Sequence, residues 1–351
     1  MTYKVAIVDA ASDEDVRSAV YSAIDLADGF FPRGNSRVVI KPNLCSARMP
    51  PESGGTTRVS VVDAVVSYIN EHNSSCEITV AEGDSDRSAD EAFKRLGYTE
   101  LTKKYDNVRL VNLSKDRTVK LVPERTGKLS AVEIPETLLF MDYFVSIANL
   151  KRHVNERMTG VWKNQWGCLP HKSVRVRLHP FLSEALFDLN SMFWPDLCIV
   201  DGITGLEGPG PLEGTPVHVG KILCGRDPVA VDVVAARLIG ESPRKVPHLN
   251  YALKRLHRRP EDVSAVGCGY EVADLKFITR RQYLLYRLSM RLRKMAGYVE
   301  NAGYVFSISA YALRAVGFSD LAGGKYYSLV KAFRIGKDLL FKVEAAERTF
   351  G

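Results

Sequence analysis

Lysine, histidine and carboxylate side chains follow three apolar runs of the sequence, at the points where the runs end. Lys41-Pro42-Asn43 follows Val38–Ile40, Glu82 follows Ile78–Ala81, and Asn149–His153 follows Phe144–Ala148. Ammonium and amide groups bind negative charge, and carboxylates and imidazoles transfer protons. The pattern therefore predicts a site for a small anionic substrate that carries a phosphate or a carboxylate.

A stretch rich in glycine and proline supplies a second part of this predicted site. It runs from Leu197 to Pro216 and contains five glycines and three prolines, which exclude a helix and favour close approach of the backbone to a ligand. Its first four residues are apolar, so we expect a buried strand that ends at Asp201. Ligands of open α/β sheets bind at the carboxyl ends of strands. A plain surface loop is the alternative.

The candidate site residues divide by the chemistry of their side chains. The candidate catalytic residues are Lys151, His153, Asp201, Glu82 and His171. The candidate substrate-binding residues are Lys41, Asn43, Asn149, Lys163, Asn164, Gly202, Glu207, Gly208, Gly210, Asp227 and Asp232. A solvated strand end is the alternative for Lys41, and a polar loop is the alternative for Asn149–His153.

Two of these aspartates belong to one predicted helix. Asp227 precedes Pro228, the arrangement of a helix cap followed by a proline in the first turn, so capping alone would explain it. Asp232 lies among valines and alanines, and a buried carboxylate requires a partner or a proton. We predict that this partner is Lys41, Lys151 or the glycine-rich stretch.

Metal and iron–sulfur sites are not predicted. His153 and His171 could bind a metal together with Asp201, but no histidine pair has the spacing of a strong metal motif. The six cysteines lie far apart and none form a pair at CxxC spacing, so the chain has no iron–sulfur motif. Scattered cysteines are typical of reduced thiols, which favours a cytoplasmic protein. The start of the chain goes directly into an apolar strand, so we expect no signal peptide.

The elements that would position these residues alternate between strand and helix. Apolar runs at 4–8, 37–40, 78–81 and 108–111 alternate with helical apolar spacing at 13–27, 56–73 and 89–96. This alternation predicts an α/β fold with a mainly parallel sheet flanked by helices. Two further strand-like runs, at 119–122 and 131–134, surround a turn and predict a β-hairpin insertion.

The positive charge of the chain is concentrated after residue 275. The formal net charge is +7, but Lys276 and the residues after it contain fourteen lysines and arginines and only five acidic residues. We therefore predict an α/β core domain at 1–275 and a basic helical extension at 276–351. A body with a slightly acidic balance argues against a nucleic-acid-binding protein, whose positive charge would cover its working face.

The predicted extension contains two helical segments. Residues 279–294 place leucines on one side and arginines on the other, the pattern of a helix on an anionic membrane surface. Residues 301–313 are almost entirely apolar or small, but they are too few to span a bilayer. The alternative is that both helices pack on the core domain. A cytoplasmic location with peripheral membrane contact is thus an open alternative to a purely cytoplasmic one.

Several of these segments together resemble domain of unknown function family 362. The resemblance covers residues 36–240 and rests on Lys41-Pro42-Asn43, Glu82-Gly83, Lys151–His153, Lys163-Asn164, Asp201-Gly202-Ile203, Glu207–Pro211 and Asp227–Asp232. The resemblance implies redox chemistry, because many members append a ferredoxin-like module with cysteine-ligated clusters. This chain lacks the cysteine spacing of such a module, so redox chemistry here would require a separate ferredoxin-type partner.

Two classes of function fit the sequence. In the first, the protein is an enzyme whose lysines bind a small anionic substrate while a histidine or carboxylate transfers protons. In the second, the same residues bind an anion or a partner without chemistry, and the basic extension recruits the protein to a membrane surface. A titratable group with a shifted pKa where these motifs meet would favour the enzyme.

Overall fold

The apolar runs of the sequence form strands that lie side by side. The computed structural model describes residues 2–10, 12, 14–123, 128–129, 131–269 and 271–278. The described strands are β1 (Tyr3–Asp9), β2 (Arg37–Pro42), β3 (Glu77–Glu82), β4 (Val108–Asn112), β5 (Thr118–Leu121), β6 (Val132–Pro135), β7 (Tyr143–His153), β8 (Arg157–Met158), β9 (Leu197–Glu207), β10 (Thr215–Gly225) and β11 (Val263–Gly267).

Amphipathic segments between the strands form the helices. The described α-helices are α1 (Val16–Leu26), α2 (Val59–His72), α3 (Ala89–Arg95), α4 (Thr99–Lys104), α5 (Glu136–Leu139), α6 (Gly160–Asn164), α7 (Lys172–Leu178), α8 (Leu182–Met192), α9 (Pro228–Leu238) and α10 (Pro247–Arg255). Short 3-10 helices lie at Pro51–Ser53, Gln165–Cys168, His179–Phe181, Pro243–Lys245 and Pro260–Asp262.

Nine of the described strands form one main sheet. Its order is β11-β1-β10-β9-β7-β2-β3-β4, and β8 pairs with the end of β7. Strands β9, β7, β2, β3 and β4 run parallel, whereas β10 is antiparallel to both of its neighbours, β9 and β1. The mainly parallel sheet flanked by helices is thus confirmed. The predicted hairpin is also confirmed: β5 and β6 pair antiparallel as a separate two-stranded sheet.

Helices cover both faces of the main sheet because side chains alternate along each buried strand. Ile199 of β9 packs in the hydrophobic cluster that contains α1 and α2, and the next residue, Val200, packs in the cluster that contains α8, α9 and α10. The described residues up to Phe277 form one compact unit. The predicted helices at 279–294 and 301–313 lie outside the described residues.

The glycine-rich stretch differs from its prediction. The strand does not end at Asp201; β9 continues through Gly202 and Gly205 to Glu207, and β10 then returns antiparallel to it. The strand requires glycine where a side chain would collide with its neighbours: a Cβ at Gly202 would lie 2.7 Å from the backbone oxygen of Lys221. The stretch is therefore mainly a β-hairpin, and only its tip is a loop.

Candidate functional site

The carboxyl ends of four parallel strands lie at one edge of the main sheet. In the register of the sheet Lys41 of β2 is opposite Ser146 of β7, and Asn149 of β7 is opposite Asp201 of β9. Strand β3 is parallel to β2, so Glu82 reaches the same edge. The polar residues predicted from separate parts of the sequence are thus brought to one edge of the sheet.

Lys41 and Glu82 form a buried ion pair at this edge. The Lys41 ammonium lies 2.8 Å from Glu82 Oε1 and 2.9 Å from Oε2, and both side chains are almost completely buried. Glu82 also accepts hydrogen bonds from the backbone N–H of Gly83 (2.9 Å) and Leu44 (3.1 Å). Each charge is therefore paired and hydrogen-bonded, which is the condition under which charges are tolerated inside a protein.

A chain of amides connects this pair to Lys151. Lys41 donates to Asn164 Oδ1 (3.3 Å), and Asn43 donates to the same oxygen (3.1 Å). Asn43 Oδ1 in turn accepts from the Lys151 ammonium (2.8 Å), which also donates to the backbone oxygen of Gly55 (2.6 Å) and to Cys45 Sγ (3.0 Å). The three donors of Lys151 are thus used by protein acceptors, and its side chain is completely buried. Lys41 and Lys151 therefore connect the strands at this edge of the sheet through buried hydrogen bonds.

Asp232 fixes the short helix α6, which carries the candidates Lys163 and Asn164. Its Oδ1 accepts from the N–H of Val161 (2.6 Å) and its Oδ2 from the N–H of Trp162 (2.9 Å). The prediction that Asp232 contacts Lys41, Lys151 or the glycine-rich stretch is wrong: it binds the first turn of α6. Gly160 makes this approach possible, since its φ is +76° and a Cβ there would lie 2.4 Å from Asp232 Oδ1. Burial raises the pKa of Asp232 to about 7.

Asp201 and Asn149 lie beside each other on β9 and β7, where both are completely buried. Asp201 Oδ2 accepts from the backbone N–H of Arg58 (2.8 Å), and Oδ1 accepts from the N–H of Ile203 (3.2 Å). The Arg58 guanidinium lies 3.6 Å from Asp201 Oδ1. Asn149 Oδ1 is buried without a hydrogen-bond partner among the described residues. These contacts make Asp201 an anchor for the segment before α2.

Lys163 is the cation of this edge that keeps access to solvent. Its side chain is only partly buried, and its ammonium makes no hydrogen bond or ion pair within the part of the chain that the structure describes. The pKa of Lys163 is lowered to about 8, mainly by burial; the charge of Glu156 opposes the decrease, and the charges of Lys151 and Lys41 add to it. A lysine that loses its proton near neutral pH can bind an anion when charged and act as a base when neutral.

His153 lies close enough to Lys163 for the charge to affect it. Burial lowers its pKa well below the usual value, and the positive charge of Lys163 is the next cause. His153 Nδ1 accepts from the backbone N–H groups of Asn155 (3.2 Å) and Glu156 (3.1 Å). Because both bonds need a lone pair on Nδ1, the proton of the neutral ring is on Nε2. His153 is therefore a neutral hydrogen-bond donor.

Glu156 and His248 support this part of the edge. Glu156 Oε2 accepts from the backbone N–H and from Nδ1 of His248, each at 2.9 Å. Although burial opposes ionisation, the hydrogen bonds and charge of His248 hold the pKa of Glu156 below its usual value. His248 Nε2 is buried without a hydrogen-bond partner among the described residues. We call Lys163, His153, Glu156 and His248 the Lys163 cluster.

The tip of the β9–β10 hairpin lies next to β7. The oxygen of Gly210 accepts from the N–H of Val154 (2.9 Å), and Gly208 donates to the oxygen of Lys276 (2.9 Å). Glu207 Oε2 accepts from the N–H of Lys276 (2.9 Å). Glu207, Gly208 and Gly210 of the predicted site therefore bond to backbone groups of the protein itself. Gly202 lies within the sheet.

Two other predicted residues lie away from this network. His171 is exposed at the start of α7 and contacts Glu133 through Nε2. Asp227 caps α9 by accepting from the N–H of Ala230 (2.9 Å), as the alternative prediction stated, and it also contacts Arg258. Neither side chain bonds to the residues that link Lys41 to Lys151.

Sequence reasoning missed Arg58, Cys45, Glu156 and His248. Cys45 lies two residues after the Lys41-Pro42-Asn43 segment, a position that could have suggested it. Arg58 directly precedes α2, where its backbone N–H has no acceptor within the helix and donates to Asp201 instead. His248 has no sequence signal, because Glu156, its hydrogen-bond partner in the cluster, is 92 positions away.

The geometry of this edge is built from the segments that carried the family resemblance. The family model described as Domain of unknown function (DUF362) matches residues 38–237. The chain belongs to this family. The match confirms the resemblance and includes every residue that links Lys41 to Lys151.

Two individual proteins are similar to this chain, one in sequence and one in structure. The thylakoid-associated protein sll1697 of Synechocystis sp. is 28% identical over 248 residues, which make up 66% of this chain and 71% of that protein. The lactate racemase apoprotein from Thermoanaerobacterium thermosaccharolyticum matches with a TM-score of 0.39 and 9% identity. That match covers 68% of this chain and 57% of the racemase chain.

No helix among the described residues has both the length and the apolar character needed to cross a bilayer. No group of three or more histidine, cysteine, aspartate or glutamate side chains within the same residues is arranged to hold a metal ion.

Proposed function

We propose that this protein is an enzyme that binds a small anionic substrate at the Lys163 cluster. The observation that supports this proposal is a partly exposed lysine of lowered pKa beside a neutral histidine. Groups with shifted pKa values that meet at the carboxyl ends of parallel strands are typical of active sites. The substrate class is a small molecule with a phosphate or carboxylate group.

The two residues have different roles in this proposal. Lys163 in its charged form binds the anionic group, and the neutral fraction that exists near its pKa of about 8 is available as a base. His153 donates its Nε2 proton in a hydrogen bond to an oxygen on which negative charge develops. A neutral imidazole suits this role, because it needs no counter-ion in a site that already has several cations.

The buried residues have supporting roles. Lys41, Glu82, Asn43, Asn164 and Lys151 form a hydrogen-bonded chain that fixes the ends of β2, β3 and β7 around α6. Asp232 holds the first turn of the same helix. The positive charges of Lys41 and Lys151 also lower the pKa of Lys163, so they tune the cluster without touching the substrate.

Binding of inorganic phosphate and of acetate, measured by calorimetry, tests the proposal. We expect the protein to bind at least one of the two anions at pH 7, Lys163→Met to abolish this binding, and Lys163→Arg to retain it because the charge is kept. Lys103→Met is the matched control, since Lys103 is exposed and paired with Glu100 on α4. Equal binding by Lys163→Met and Lys103→Met would refute the role of Lys163.

Catalysis is separated from binding by identifying the natural ligand. Native mass spectrometry of the purified protein, with Lys163→Met as the reference, would show what occupies the site. We then expect turnover of that compound to decrease in His153→Phe while its binding is retained. Binding without turnover by the wild-type protein would instead support the non-catalytic alternative.

Membrane recruitment is a second proposal. It is supported by the thylakoid-associated relative and by the excess of lysine and arginine after residue 275. Cosedimentation of the full chain with anionic vesicles, compared with neutral vesicles and with high salt, tests it. Equal cosedimentation with both kinds of vesicle would contradict it. A separate ferredoxin-type partner stays a proposal that depends on what the family resemblance implies.

A further inference from the structure

Cys45 and Lys151 lie in direct contact next to the Lys163 cluster. The Lys151 ammonium is 3.0 Å from Cys45 Sγ, and its other two donors are held by Asn43 Oδ1 and by the oxygen of Gly55. These bonds keep the nitrogen against the sulfur. Cys45 also lies close enough to Lys163 to act on it electrostatically.

Cys45 is accessible, unlike most cysteines of the chain. Cys45 and Cys268 are partly buried, whereas Cys76, Cys168, Cys198 and Cys224 are buried. Oxidants attack cysteines that are exposed and that lie beside a cation, because the thiolate is the reactive form. Cys45 is partly accessible and lies beside a cation, the Lys151 ammonium, whose nitrogen is 3.0 Å from the sulfur.

We propose that Cys45 and Lys151 form a covalent sulfur–nitrogen bond when hydrogen peroxide oxidises the sulfur. In the first step the Cys45 sulfur takes one oxygen from the peroxide and becomes a sulfenic acid, and the peroxide is reduced to water. In the second step the Lys151 ammonium first gives one proton to solvent, and the lone pair of its nitrogen then attacks that sulfur. The sulfur–nitrogen bond forms and the sulfur–oxygen bond breaks.

The protons of the second step are accounted for by the ammonium. One proton leaves with the sulfenic oxygen as water, the other passes to solvent, and the product keeps one hydrogen on nitrogen. Two equivalents of a thiol reductant reverse the reaction, because they restore the thiol and the amine and become a disulfide. Lys151 loses its positive charge while the bond exists.

The loss of this charge would regulate the site, a consequence that rests on the proposed function. Lys151 is one of the charges that lower the pKa of Lys163, so its removal raises that pKa. At pH 7 Lys163 is already mostly charged, because its pKa is about 8, so this rise adds little to the binding of an anion. The loss of the Lys151 charge removes one cation from the edge, and the new bond disrupts the Lys151 contacts to Asn43 and Gly55. We therefore expect weaker binding of inorganic phosphate at pH 7 after oxidation and full recovery after reduction.

Peptide mapping of the full chain tests the bond directly. The wild-type protein is treated with hydrogen peroxide, digested with a protease that does not cut at lysine, and examined by mass spectrometry. We expect a joined pair of peptides that contains Cys45 and Lys151, has a mass two hydrogen atoms below the sum of the two, and separates with dithiothreitol. Cys45→Ser should not form this pair.

Cys268 provides the matched control. It is partly buried and has Lys221 at 3.8 Å, but that lysine pairs with Asp9, and burial raises the pKa of the Cys268 thiol. Cys268→Ser should therefore form the Cys45–Lys151 link as the wild type does. A Cys45 that is oxidised without joining Lys151, or a link that keeps the oxygen atom, would overturn the proposal.

The two proposals fail in different ways. The mapping experiment does not depend on any ligand, so a missing link counts against the sulfur–nitrogen bond alone. Absence of phosphate and acetate binding before oxidation counts against the proposed function alone. A link that forms without changing the affinity for phosphate would overturn the regulatory consequence.

Discussion

Replacing Glu82 with glutamine tests whether the Lys41–Glu82 pair holds the carboxyl edge of the sheet together. The two side chains are 1% and 6% exposed, and Lys41 lies within 2.9 Å of both carboxylate oxygens. Glutamine has nearly the same shape but no charge. The substitution therefore leaves a buried ammonium without its counter-charge, and its acceptors become neutral oxygens: the glutamine amide, the amide of Asn164 and a backbone oxygen.

The expected loss of stability follows from the burial of this charge. Breaking a buried ion pair by removing one partner costs about 3–5 kcal/mol. A domain of this size loses about 2–4 °C in Tm for each kcal/mol, so Glu82→Gln should lower the Tm by about 6–20 °C. The amide nitrogen of glutamine would also face the N–H of Leu44 or Gly83, which adds to the loss.

Thermal unfolding measured by circular dichroism gives the comparison. Glu261→Gln is the control, because it breaks the exposed Arg244–Glu261 pair by the same chemical change. Exposed pairs contribute about 0–1 kcal/mol, so the control should unfold at nearly the wild-type temperature. If Glu82→Gln and Glu261→Gln unfold at the same temperature, the Lys41–Glu82 pair does not stabilise the fold and the reasoning is refuted.

Three further changes test other parts of the edge. Phosphate affinity should decrease as pH rises through about 8, because Lys163 loses its proton there, and Lys163→Arg should lose this dependence; a flat wild-type profile from pH 7 to 9 would contradict it. Because the pKa of Asp232 is raised, the folded state binds more protons than the unfolded state between pH 4 and 7. The free energy of unfolding should therefore decrease by about 4 kcal/mol as pH rises through that range, the value of three pKa units. In Asp232→Asn the free energy of unfolding, measured with urea at each pH, should depend less on pH. Gly167→Ala should lower the Tm, since its Cβ would lie 2.2 Å from Glu82 Oε1, whereas Gly269→Ala, with no atom within 4 Å, should not.

Much of the sheet could be predicted because apolar runs of four or five residues mark buried strands. The parallel direction of β2, β3 and β7 followed from the helices between them, and it brought Lys41, Glu82 and Lys151 to one edge. Binary patterns carry this information because they depend on local burial alone.

The partners of individual side chains could not be predicted in the same way. Asp232 was recognised as buried, but its bonds to Val161 and Trp162 join positions 71 and 70 residues apart. The sequence predicts that His171 belongs to the site, but the residue lies exposed at the start of α7, where it contacts Glu133. Such outcomes depend on packing between distant segments, which local patterns do not encode.

The β9–β10 hairpin shows a different limit. Glycine weakens an isolated strand, so the density of glycine predicted a loop after Asp201. Gly205 lies within β9 because Leu275 packs against it: a Cβ there would be 2.9 Å from Leu275 Cδ2. The reason for the glycine is thus a neighbour that sequence periodicity does not reveal.

The position of β1 in the sheet has a consequence for biosynthesis. Its partners are β10 and β11, and the contact between Asp9 and Lys221 spans 212 positions. At a translation rate of about 5–20 residues per second, this strand waits roughly 10–40 s on the ribosome before its first partner has been synthesised. During that interval the backbone groups and apolar side chains of Val5 and Ile7 are available to other nascent chains and to chaperones.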